Sequence, residues 1–186
     1  MVELAVVLGF AATATATALP RMLTRLDEAR VAGAARYLAA RFYGTRIEAI
    51  TRATEVAMRF TPTNAGFIFA VFVDGNGNGV LARDIDRNVD RQLHSPELLS
   101  SQFSGVDFGT LPDLPAIDAG SPPPGADPIR FGAGNMVSFS ALGTSSSGTL
   151  YIKGRGDAQY ALRLVGATAR VRTYRFDSRS REWRPV

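Results

Sequence analysis

The chain has 186 residues, of which 46% are hydrophobic, and a formal net charge of +4. That length and apolar content support one domain with a real core plus an additional element, and they exclude wholesale disorder. Cysteine is absent, so disulfides, thiol catalysis and Cys-based zinc sites are excluded as well.

Residues 2–19 carry a single charge, Glu3, within a run of Ala, Val, Leu, Gly, Phe and Thr. The run approaches the roughly 20 residues a helix needs to cross a bilayer, so residues 1–20 are expected to form the transmembrane half of an N-terminal helix. Thr13, Thr15 and Thr17 lower its hydropathy, but a helix returns each hydroxyl to a carbonyl one turn back. Pro20 lies inside the pattern, where its missing amide and ring clash bend a helix. Residues 21–53 contain no proline, and Val31, Ala34, Ala35, Leu38, Phe42, Ala49, Ile50 and Ala53 are spaced as one apolar face. This predicts an amphipathic half, 21–54, of the same rod.

Beyond Thr54 the pattern changes to short aromatic and β-branched runs at 55–61, 67–73, 103–108, 136–140, 149–153, 160–165 and 168–176, which read as strands of a β-rich domain over 55–186. Gly and Asn punctuate them, so antiparallel hairpins are the expected connections. Residues 84–93 are expected to form a short helix and 110–128 a long Pro-rich surface loop.

The order of these parts resembles the type IV pilin family: a membrane-length run opening Val2-Glu3-Leu4, a proline seventeen residues after Glu3, a long helix and then a β domain. Three later stretches are similar to the H-type pseudopilins of type II secretion and to FimT-like minor pilins. They are Phe72-Val73-Asp74-Gly75-Asn76-Gly77-Asn78-Gly79, Val137-Ser138-Phe139-Ser140 with Gly143, and Arg170-Val171-Arg172. The resemblance implies an α+β pilin-like fold and a structural subunit at or near the tip of a type II secretion pseudopilus or a type IV pilus. It implies a single-pass inner-membrane anchor with the β domain in the periplasm, and other major and minor pseudopilins or pilins as partners. It also implies that Glu3 pairs with the α-amino group of a neighbouring subunit during assembly, with Pro20 shaping the same helix. Family members begin with a basic leader, a Gly cleavage point and Phe-Thr-Leu before Val-Glu-Leu. Met1 stands where that Leu would be, so the true start is expected upstream and prepilin peptidase is an expected partner.

Two further patterns carry chemistry of their own. Asp74, Asn76 and Asn78 place oxygens at alternate positions with Gly79 sixth, the spacing with which calcium loops wrap a cation. Val80 would contribute its carbonyl, and Asp84 or Asp86 would close the site, although Ile85 holds the twelfth position where a bidentate carboxylate is usual. A turn rich in residues that tolerate left-handed backbone explains the same letters, so Ca2+ and a plain turn both stand. The second pattern is the Arg-rich tail, where Arg170 and Arg172 alternate on one strand with Arg163 on the strand before and Arg175 beyond. These four residues would bind DNA if the chain were a FimT-like uptake pilin, whose Gly-Arg-x-Arg signature is matched here except for Ala169. Catalysis is not expected: His94 is the only histidine and has no nucleophile or metal-ligand pattern around it.

Overall fold

The structure, a computed structural model, describes residues 22–186 apart from Ala119 and Ala133. Its elements are α1 (Val2–Arg52), β1 (Val56–Thr63), β2 (Gly66–Val73), α2 (Ala82–Asp86), β3 (Arg91–Gln92), β4 (Glu97–Leu98) and α3 (Leu99–Gln102), followed by β5 (Asp107–Phe108), β6 (Ile129–Arg130), β7 (Met136–Phe139), β8 (Gly148–Lys153), β9 (Gln159–Val165), β10 (Arg170–Asp177) and β11 (Glu182–Pro185). The expected membrane half, with Glu3 and Pro20, lies outside the described residues. Among those residues no helix is long and apolar enough to cross a membrane.

The strands form two antiparallel sheets. One runs β3-β2-β1-β7, with β4 also on β2, and the other runs β11-β10-β9-β8-β5, with β6 also on β8. Helix α1 packs against both. Val31, Ala34, Ala35, Leu38, Phe42 and Ala49 are at most 1% exposed and join one core with Met58, Phe60, Phe69, Phe139, Ile152 and Leu162. Small residues at 34, 35 and 49 let the helix approach the sheets closely, while Phe42 fills the space between them. Its ring lies edge-on to Phe131 at 6.2 Å and tilted to Phe139 at 6.4 Å. Burying each such aromatic or aliphatic side chain contributes about 1.5–3 kcal/mol.

An α+β architecture with a long helix on antiparallel strands is therefore observed as expected. Several boundaries differ. The core face expected to include Ile50 and Ala53 stops at Ala49, because Ile50 is 42% exposed and the helix ends at Arg52. There the Thr54 N–H donates to the Ala49 carbonyl and the Ala53 N–H to that of Ile50, closing the end as a Schellman motif with Ala53 left-handed. The expected strand 103–108 is mostly not one. Gly105 at φ 84° turns the chain, the Val106 N–H closes on the Phe103 carbonyl, and only Asp107–Phe108 pair with β8. The expected helix 84–93 is α2 alone, since Asn88 adopts φ 58° and the chain then enters β3. Strand β11 was not anticipated, because its charges and Pro185 suit only an edge.

Candidate assembly surface

The apolar residues of α1 that do not enter the core form a second face. Met22, Leu26, Tyr43, Ile47 and Ile50 are 42–68% exposed, and at about 3.6 residues per turn the first four fall on the far side of the helix from Val31, Leu38, Phe42 and Ala49, with Ile50 on the flank between. Leu142, on the loop after β7, is 91% exposed. Its neighbour Gly143 abuts both Ile50 and the Arg46 guanidinium, so the end of the helix meets this loop. Exposed apolar side chains on this side, interrupted by the exposed Arg36, offer a surface that a neighbouring helix could cover.

Two ties hold α1 so that this face points outward. Near the middle, Tyr37 donates to the Glu97 carboxylate and Arg41 pairs with it, fastening the helix to β4. Lower down, Asp27 accepts the backbone N–H of Arg155 at 3.1 Å and of Gly156 at 3.0 Å, reaching the turn between β8 and β9. A side chain at Gly154 would put its Cβ 2.3 Å from the Asp27 carboxylate, so only glycine admits this close approach. Residues 22–26, below the tie, are all exposed.

The candidate calcium loop is organised by its own amides. Asp74 Oδ1 accepts the N–H of Asn76 at 3.0 Å and Gly77 at 2.8 Å, while Oδ2 accepts that of Gly79 at 2.9 Å. Burial works against its ionisation, yet these amides outweigh it and hold the carboxyl below its ordinary value. Asp90, 1% exposed, spans the loop from the Gly75 N–H to the Leu81 N–H, and Glu55 takes the N–H of Val80. Asn78 donates to Asp84, whereas Asp86 turns away to Arg59 at 3.0 Å. Oxygens of Asp74, Asn76 and Asp84 thus accept N–H groups of the loop itself, and no cluster of three or more acidic, cysteine or histidine side chains that could hold a metal is found among the described residues. Glu55 and Asp90 were not anticipated; nothing in their spacing marks them.

The four arginines do not form one surface. Arg170 and Arg172 are exposed on the outer face of β10. Arg163 stands directly opposite Arg172 on β9 but is held by Asp118. Arg175 has the opposite parity and faces α1, where it pairs with Glu28 at 3.5 Å. The segment carrying Asp118 is the long loop, which straps the outer face of this sheet. Trp183 donates its indole N–H to the Pro115 carbonyl at 2.9 Å, Arg181 reaches the Asp113 carbonyl at 2.6 Å, and the buried Gln159 binds the Leu111 N–H and the Gly109 carbonyl. Ala169 has φ 49°, a left-handed position at the turn before Arg170, which is where the related signature carries Gly.

A family model described as type II transport protein GspH matches residues 34–169. A comparison with curated proteins finds no match. Among solved structures the chain is similar to the minor pseudopilin EpsH from the type 2 secretion system of Vibrio cholerae, at 15% identity over 79% of this chain and 96% of that one, with a TM-score of 0.46. A second structure of EpsH from the type II secretion system of Vibrio cholerae gives 14% identity, 79% and 93% coverage, and a TM-score of 0.45.

Proposed function

We propose a structural role in protein export for this chain, which belongs to the GspH family of type II transport proteins. It is a minor pseudopilin of type II secretion, and pseudopilins act by assembling with one another. The finer reading is that it sits at or near the tip of a short pseudopilus and helps drive folded proteins through the outer membrane. Residues 1–20 anchor it in the inner membrane after processing by prepilin peptidase, Glu3 sets register against a neighbour's amino terminus, and the β domain lies in the periplasm.

The observation that supports this reading is the second apolar face of α1. Helix packing between subunits would cover Leu26, Tyr43, Ile47 and Ile50, and each buried aliphatic side chain would contribute about 1.5–3 kcal/mol. The arginine strand favours nucleic-acid capture less, since Arg163 is tied to Asp118 and Arg175 faces the helix.

The natural absence of cysteine makes the test direct. Ile47→Cys, expressed with partner pseudopilins that carry single cysteines on their own helices, should form intermolecular disulfides, whereas Arg170→Cys on the outer sheet face should not. Equal crosslinking at both positions, or none at Ile47→Cys, would contradict a helix-mediated assembly.

A further inference from the structure

The loop after β2 contains Asp74-Gly75, Asn76-Gly77 and Asn78-Gly79, three junctions at which a side-chain carbonyl is followed by glycine. At such a junction the glycine nitrogen can attack the preceding Cγ and close a succinimide ring, because no Cβ obstructs its approach. The other asparagines, Asn64, Asn88 and Asn135, precede Ala65, Val89 and Met136, whose side chains do obstruct it. In the folded loop all three glycine nitrogens donate to a carboxylate. The Gly75 N–H reaches Asp90 Oδ1 at 3.0 Å, while those of Gly77 and Gly79 reach Asp74 Oδ1 at 2.8 Å and Oδ2 at 2.9 Å. Ring closure requires the nitrogen to give up its proton. A carboxylate at hydrogen-bond distance opposes that, both by holding the proton and by setting negative charge beside the nitrogen.

The junctions are not equally guarded. Asp74-Gly75 reacts only through a protonated carboxyl, and the loop amides outweigh burial in keeping Asp74 below its ordinary value. Asn78 donates its side-chain amide to Asp84 Oδ2 at 3.1 Å, and a Cβ at Gly79 would lie 3.2 Å from Glu55 Oε1. Asn76 is exposed, its side-chain nitrogen meets no acceptor among the described residues, and a Cβ at Gly77 would meet nothing within 4 Å. Only the bond from Gly77 to Asp74 stands between this junction and reaction.

We propose that Asn76 is a site of spontaneous deamidation whose rate is set by the hydrogen bond from the Gly77 N–H to Asp74. When local opening breaks that bond, the Gly77 nitrogen loses its proton to solvent and attacks Asn76 Cγ. The N–Cγ bond forms, the Cγ–Nδ2 bond breaks, and Nδ2 takes up a proton and leaves as ammonia. Water then opens the ring on one side or the other, giving aspartate or an isoaspartate whose main chain runs through Cγ. Either product sets a new carboxylate two residues from Asp74. Isoaspartate also lengthens the main chain by one carbon inside the turn, so the amide cradle between β2 and α2 is weakened. Asp74 thereby sets the chemical lifetime of the loop as well as its shape.

The test incubates the full chain at mildly alkaline pH and follows every asparagine by peptide mass spectrometry, beside a synthetic peptide of residues 72–81 as the unfolded reference. In the chain Asn76 should convert before Asn78, and about tenfold or more slowly than in the peptide, the rate equivalent of one charge-assisted hydrogen bond. Asp74→Ala should raise the Asn76 rate to that of the peptide. Glu55→Gln removes a neighbouring charge but keeps both Asp74 bonds, and should leave the rate unchanged. Equal rates in wild-type chain and peptide would overturn the proposal without recourse to any variant, so a failure of Asp74→Ala to fold does not shelter it. Conversion of Asn78 ahead of Asn76, an Asp74→Ala chain no faster than wild type, or an equal acceleration in Glu55→Gln would overturn it too.

Discussion

Ala53 ends α1 at φ 53° with its methyl group exposed, so a side chain occupies a left-handed position and gains no packing there. Ala53→Gly should raise stability by about 1 kcal/mol in equilibrium urea unfolding. Ala169 shares the conformation at φ 49° but is only 7% exposed and joins the core. Its replacement by Gly forfeits about 0.8 kcal/mol of methyl burial, so the two terms should nearly cancel. Asp74 sets a pH dependence. Its folded carboxyl titrates below its ordinary value, so its contribution is fully present above the unfolded value and is lost as pH falls through the folded one. Acid titration of unfolding free energy should therefore decline below the ordinary carboxylate range, and Asp74→Asn should flatten that decline. A calcium ion at this loop predicts a melting temperature that rises with added calcium and falls with chelator, whereas a plain turn held by the Asp74 carboxylate predicts no change. At this scale the sequence spacing grouped Asp74, Asn76 and Asn78 in one loop. It did not mark Glu55 or Asp90, which act from 25 and 9 residues away through backbone amides and leave no periodic trace.

The strap and its strand are the elements least visible before folding. Glu182-Trp183-Arg184-Pro185 has too few apolar residues and a proline, features that argue against a central strand yet are common at an edge. Only in three dimensions does Trp183 meet Phe176 at 5.2 Å and Tyr151 at 5.9 Å while donating to Pro115. Trp183→Ala removes both ring contacts and the anchor. Since the ring is only half-buried, the cost should be about 2 kcal/mol, under the 3–5 of a fully buried aromatic. Limited proteolysis should then cut first within 110–128, the freed loop. The misplaced strand at 103–108 has a similar cause. Phe103, Val106 and Phe108 alternate imperfectly, and their apolar character serves the helix–sheet core, with Phe103 lying against Gly33 and Tyr37. By contrast β1, β2, β8, β9 and β10 were legible because each is long, β-branched or aromatic, and closed by a tight turn.

For the whole molecule, the core face of α1 was readable from its helical period, whereas the outward face was not. Tyr43 and Ile47 interrupt no pattern that a single-faced helix requires, and Ile50 was assigned to the core although it sits on the flank of that face, 42% exposed. A sequence period reports that a stripe is apolar, not which partner covers it, and two stripes on one helix blur each other's signal. The anchor and the Glu3 contact belong to the segment before the described residues and remain part of the proposal. The central claim is that the outward stripe joins this subunit to other pseudopilins, and it is tested most directly by Ile47→Glu with Ile50→Glu. The measurement is the amount of protein recovered in sheared pseudopili relative to wild type, alongside the melting temperature of the purified chain. Exposed positions of this kind change folding stability within about 0.5 kcal/mol, so the melting temperature should hold while incorporation is lost. Normal incorporation of this variant would contradict the account.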